Sequence, residues 1–118
     1  MRTEVDHTGD LRPIAGALIA ATNAFDVEAA LALFASDAVI DDPSTGEGFD
    51  GKAGVREYVE RFFVGYRTVV RLLSLTSTGE RQARLRVDFT GDFGHEVGLL
   101  DIVTDPAGLI VRIDADLE

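Results

Sequence analysis

The sequence predicts an α+β domain. Helical periodicity fills the first half of the chain and strand alternation fills the second. The links between the later strands are short enough to be tight turns, which makes those strands antiparallel neighbours. Helices segregated from such strands cover one face of their sheet. No repeat, linker or low-complexity tract divides the 118 residues, so one domain is expected.

Residues 1–10 are polar and expected to fray. From Leu11 onward, Leu11, Ile14, Ala15, Leu18, Ile19 and Thr22 recur at three- and four-residue spacing, the stripe of a helix. Asp10 is its candidate N-cap, and Pro13 is tolerated in a first turn. Asn23-Ala24-Phe25-Asp26 breaks the pattern. Asp26 then caps a second helix with Val27, Ala30, Leu31 and Phe34 as its stripe. Residues 38–42 read as a short strand stopped by Pro43, and residues 44–51 as a Gly-rich loop. A third helix spans about residues 52–65, with Val55, Val59 and Phe62 on one face and Tyr58 beside them. Four strands follow, at residues 67–78, 81–90, 95–104 and 109–117. The second alternates cleanly, with Ala83, Leu85, Val87 and Phe89 opposing Arg84, Arg86 and Asp88. In the last, Leu109, Val111, Ile113, Ala115 and Leu117 oppose Ile110, Arg112, Asp114 and Asp116.

Composition excludes several chemistries. The chain carries no Cys, hence no disulfide, thiolate metal site or cysteine nucleophile. Two His leave little for a metal cage or a catalytic triad. The net charge of −10, from 21 acids against 11 bases, repels nucleic acid and anionic membranes. Apolar runs are too short to span a bilayer. No basic segment precedes an apolar one at the N-terminus, so a cytoplasmic location is the expectation. The charge is uneven: eight bases and three acids lie between Lys52 and Arg86, and the rest is acidic. Such a split makes solvated faces or an intersubunit contact, or else a field that steers an anionic ligand.

Most of the 21 carboxyls belong on the surface, so the informative ones stand where an apolar residue is expected. Asp101 is the clearest, among Val97, Leu99 and Val103 on its own strand face. A buried carboxyl tends to be neutral and then donates a hydrogen bond; the alternative is an Asp paired to an Arg. Asp42 shares strand parity with Ile40 and is held extended by Pro43. Asp before Pro is also ordinary turn chemistry. Arg86 and Asp88 project together, able to orient a water if their face lines a pocket. Ala83, Leu85, Val87 and Phe89 are the better pocket residues, which sends Arg86 and Asp88 outward. His7, His95, Tyr58 and Tyr66 fit solvated or packing positions, and no metal-ligand spacing stands out.

The run Ala32-Leu33-Phe34-Ala35-Ser36-Asp37-Ala38-Val39-Ile40-Asp41-Asp42-Pro43 resembles the NTF2-like superfamily. Asn23-Ala24-Phe25-Asp26 before it and Gly51-Lys52-Ala53-Gly54-Val55-Arg56-Glu57-Tyr58 after it extend the resemblance. The SnoaL-like and ketosteroid isomerase branch is nearest, and the element order agrees over about residues 11–117. The resemblance implies a cone: a curved mixed or antiparallel sheet with three N-terminal helices enclosing an apolar pocket. It implies Asp42 as general base, and Asp101 as a protonated donor to a developing enolate, a device of that family. Leu18 stands where the family's oxyanion-hole Tyr is expected, and Tyr58 at an aromatic wall position. Phe62, Leu85, Val87, Phe89 and Leu99 would complete the pocket. No cofactor or metal is implied.

The expected function is therefore proton transfer on a small apolar carbonyl compound, steroid- or polyketide-like. Leu18 motivates an alternative, a non-catalytic pocket for an apolar ligand. A limonene-epoxide-hydrolase-like reading matches Arg86-Val87-Asp88 and Asp114 by type. Ile40 and Asp42 stand where that branch has Tyr and Asn, and strand parity turns Asp114 away. Outward Arg84, Arg86 and Arg112 beside Asp88 and Asp114 suggest a salt-bridged homodimer through the sheet.

Overall fold

The computed structural model describes residues 10–118. Residues 1–9, with His7 and most of the segment expected to fray, lie outside the described residues.

Helix α1 (Arg12–Asn23) begins where Asp10 Oδ1 accepts the Arg12 N–H at 2.9 Å, satisfying one of the helix's free donors. It buries Ala15, Leu18, Ala21 and Thr22. At its end, Asn23 acts as a strand partner. Its side chain donates to the Val70 carbonyl at 3.0 Å and accepts the Val70 N–H at 2.7 Å, tying the helix to the sheet edge. Asp26 caps the short helix α2 (Val27–Leu31) by accepting the Ala29 N–H. Lys52 Nζ donates to the Leu31 carbonyl at 2.6 Å at the other end, where a cation complements the helix dipole.

Strand β1 (Phe34–Asp42) starts four residues earlier than the alternation suggested, so Phe34 is a strand residue rather than part of the second helix's stripe. The Ile110 N–H donates to the Leu33 carbonyl, and Phe34 pairs with Ile110. That long-range pairing, invisible in local periodicity, overrides the helical spacing. A 3₁₀ turn (Pro43–Thr45) and a short edge strand β2 (Glu47–Asp50) occupy the Gly-rich loop. Gly46, at φ 73°, closes the turn in the left-handed region that favours glycine. Helix α3 (Gly51–Val59) continues into a π-helical turn over Glu60–Val64.

Strands β3 (Val69–Gly79), β4 (Gln82–Gly91), β5 (Gly94–Thr104) and β6 (Ile110–Leu117) follow as an antiparallel meander. The single sheet runs β2-β1-β6-β5-β4-β3, and only the β1–β6 pair is parallel. Helices α1 and α3 pack against one face, α3 over β1 and β2 and α1 over β3, and α2 packs against both helices. The register decides which residues face them. Leu85 pairs with Leu100, Ala83 with Ile102, and Leu100 in turn with Ala115. These residues form the buried inner face with Ile40 and Ile113. A register shift beside Thr104 turns Ile110 inward as well, so Ile110 and Ile113 are both buried despite opposite parity.

Candidate functional site

Asp42 ends β1 on the same face as Ala38 and Ile40, and it is only 8% exposed. Both oxygens of its carboxylate are hydrogen-bonded. Oδ1 accepts the Ser44 N–H at 3.1 Å and the Ser44 hydroxyl at 2.6 Å; Oδ2 accepts the Tyr58 hydroxyl at 2.6 Å. The Ser44 bonds are the side-chain cap of the Pro43–Thr45 turn. The Tyr58 bond joins strand to helix across the cavity wall. Burial, first, and then the bond to Asp42 push the Tyr58 phenol well above its ordinary range, so it stays a neutral donor. Tyr58 and Tyr66 are the only phenols, so a Tyr66→Phe variant isolates Tyr58 in an alkaline absorbance titration. The remaining phenol should resist ionisation well past the ordinary tyrosine pKa of about 10 and titrate only as the protein unfolds. A midpoint near 10 would place Tyr58 in water.

Asp42 and Tyr58 form part of the wall of a cavity of about 280 Å³. The π-helical turn widens the helix so that the consecutive Phe62 and Phe63 both face it. Tyr66 and Phe93 stand at its mouth in edge-to-face contact, with centroids 6.2 Å apart. Phe89 and Glu96, a cross-strand pair of β4 and β5, supply the sheet side. Gly98 makes room for the Phe89 ring: a Cβ there would meet Phe89 at 2.7 Å and the Asp116 carbonyl oxygen at 2.9 Å. Gly98→Ala should therefore displace the ring or bend β5, costing about 1–3 kcal/mol in a urea melt. Unchanged stability would show that the strand accommodates the methyl.

A second, apolar void of about 30 Å³ lies deeper, lined by Leu18, Ile19, Ile40, Val70 and Leu100 among others. Tyr58 and Phe63 line both spaces and partition them.

Residues 15–113 match the SnoaL-like domain family. The chain belongs to that family. Solved structures agree in fold. A provisionally named ketosteroid isomerase from Kribbella flavida superposes with a TM-score of 0.81 at 20% identity, over 95% of this chain and 80% of that one. Rv0760c from Mycobacterium tuberculosis, solved with estradiol-17beta-hemisuccinate, gives 0.74 at 23% identity, over 86% and 88%. The epoxide hydrolase/cyclase-like enzyme SalBIII of salinomycin pyran ring formation gives 0.80 at 18% identity, over 91% and 89%. No curated protein matches the chain in sequence.

Within this SnoaL-like fold, several expected site residues lie elsewhere. Asp101 does not share the cavity with Asp42. The register pairs it with Arg84 and Asp114 on the outer face of the sheet, and Arg84 grips it with two bonds of 2.8 and 2.9 Å. Its neighbours Val97, Leu99 and Val103 are partly covered on that outer face, which is why the strand reads as apolar on both sides. The Arg84 hydrogen bonds hold the Asp101 carboxyl below the usual carboxylate range, against a smaller opposing effect of burial. It is an ionised ion-pair member, not a neutral donor. Because the folded-state pKa is depressed, the pair's contribution is full above the unfolded value of about 3.9 and is lost as pH falls through the folded one. With the Asp101 side chain 39% exposed, that contribution is about 0.2–1 kcal/mol. Asp101→Asn should thus cost at most that much at neutral pH, and nothing in acid below the folded-state pKa, in parallel denaturation curves.

Leu99 belongs to the outer face with Asp101 and does not line the pocket. Leu85 and Val87 face inward but are fully buried core, packed shut rather than lining space. Leu18 lines the inner void, while Tyr58, Phe62 and Phe89 line the main cavity. The epoxide-hydrolase-like set is dispersed on the outer face. Arg86 pairs with Glu118, Asp88 with Arg71 and His95, and Asp114 with Arg112. Glu96 shares parity with Leu100, which the pairing with Leu85 turns inward; with both faces of β5 apolar, spacing alone does not place Glu96 in the cavity. Phe63 was missed because regular helical spacing allows only one of two adjacent residues onto a face. Among the described residues, no His, Asp and Glu cluster is placed to hold a metal ion, and no helix is long and apolar enough to cross a membrane.

Proposed function

We propose that this protein binds a small, largely apolar carbonyl compound in the aromatic cavity and moves a proton on the carbon beside the carbonyl. The observation that carries this reading is the Asp42–Tyr58 pair, a buried carboxylate and a phenol that donates to it at 2.6 Å on one cavity wall. Asp42 takes the proton from carbon, and the C–H electron pair moves toward the carbonyl to give an enolate. As Asp42 becomes neutral, its hold on the Tyr58 hydroxyl weakens, and that hydroxyl turns to the enolate oxygen. Asp42 then returns the proton further along the conjugated chain, and the double bond has shifted. Tyr58 takes the donor role that Leu18 cannot fill and Asp101 is too remote to fill. The test is isomerisation of a β,γ-unsaturated cyclohexenone by wild type and by Asp42→Asn; equal rates end the assignment.

A second reading keeps the pocket and drops the chemistry. Two Ser44 hydrogen bonds close Asp42 into a turn and a third ties it to helix α3, a structural use in its own right. Structural neighbours include a steroid-analogue complex and a computationally designed 17-OHP binder. That reading expects uptake of an apolar ketone without turnover. The sheet's outer face, with Arg84, Arg86 and Arg112 each paired within the chain, is the surface proposed to dimerise. Sedimentation at micromolar concentration checks it: a dimer is expected, and a monomer ends the proposal.

A further inference from the structure

The charged and aromatic groups of the cavity point to a more specific ligand than an apolar carbonyl compound. Two carboxyl side chains, Asp42 and Glu96, stand in its wall, and among the described residues no Lys, Arg or His lines it. Arg61 stacks over Phe62, 4.9 Å from the ring centre, and is already held by Glu47 and Glu57. His95 beside Glu96 points to the other sheet face, 2.7 Å from Asp88. The Glu96 carboxylate has no hydrogen-bond or ion-pair partner among the described residues, whereas Asp42 has three donors. Around these acids runs an unbroken chain of rings. Tyr58 lies 5.2 Å from Phe62, Phe62 6.2 Å from Tyr66, and Tyr66 6.2 Å from Phe93; Phe63 lies 6.4 Å from Phe89.

Ring faces are electronegative and attract a cation, most strongly in a spot shielded from water. Glu96 is exposed at the rim of the cavity, and a neutral ligand there would cover part of its carboxylate without replacing the lost water, a cost that a cation beside it offsets. An anionic ligand would meet both carboxyls and the chain's net charge of −10.

We infer that the cavity takes an apolar organic cation, a protonated amine or quaternary ammonium compound, with its charged nitrogen among the rings beside Glu96 and its uncharged end toward Asp42 and Tyr58. This rests on the reading that the cavity is the ligand site, and it narrows the ligand class.

The probe is butyrylcholine, which carries a carbonyl and a quaternary ammonium, compared with its neutral isostere in which carbon replaces the nitrogen. Both are titrated into the protein by calorimetry at low salt. The ammonium ester should bind about tenfold tighter or more. Glu96→Gln should remove most of that preference, weakening the ammonium ester and relieving the isostere of the cost of covering a carboxylate. An isostere bound as tightly as the ammonium ester overturns the cation assignment and leaves the ligand site standing. A preference that survives Glu96→Gln in full also overturns it, since Glu96 then plays no part. Refusal of both probes by folded protein overturns it together with the ligand-site reading.

Discussion

Asp42→Asn should lower the rate of β,γ- to α,β-enone isomerisation by about 10²–10⁴-fold, the usual worth of a positioned general base. The substitution preserves shape and can keep a hydrogen bond to Ser44 and to Tyr58, but an amide takes up no proton at neutral pH. The loss should fall on kcat, with KM little changed, because the group acts in the transition state rather than in holding the ligand. Stability should drop by about 1–3 kcal/mol, since a buried acceptor is exchanged partly for a donor. Urea melts separate that loss from the kinetic one. A rate within twofold of wild type, in protein shown to be folded, would leave Asp42 as a turn cap only.

Leu85→Ala should destabilise the fold by about 2–5 kcal/mol and leave ligand affinity intact wherever the protein remains folded. Leu85 has no exposed surface and lies between Leu75 on β3 and Leu100 on β5. Truncation leaves a hole that the flanking strands cannot close without losing register. Chemical denaturation measures the first expectation, and probe binding well below the midpoint measures the second. A large loss of affinity with little loss of stability would return Leu85 to the pocket.

The sequence was legible wherever a local pattern had a single physical reading. The Asp26 cap, the Leu11–Thr22 stripe and the alternation of β4 each followed from spacing, and the order of helices before strands followed from them. Asp42 was legible because Pro43 and the parity with Ile40 constrain it from both sides. β5 was not legible in the same way. Val97, Leu99 and Val103 are as apolar as Gly98, Leu100 and Ile102, so its parity depends on pairing Leu85 with Leu100, a tertiary fact. That ambiguity placed Asp101 inside and hid Glu96, the residue that does face the cavity. Phe34 and the edge strand β2 were hidden for the same reason, since partners distant along the chain or across a loop decide them. The adjacent pair Phe62 and Phe63 required the π-helical turn, which no regular period encodes.

In the proposed proton transfer, Asp42 and Tyr58 work as one unit. A double-mutant cycle of Asp42→Asn and Tyr58→Phe on isomerisation of the β,γ-unsaturated ketone measures that directly. If base and donor serve one transition state, the double variant should be slower than the worse single variant by less than about threefold, far short of the product of the two losses. Losses that multiply in full would mean that the two groups act independently, and would contradict the pair as the site of proton transfer.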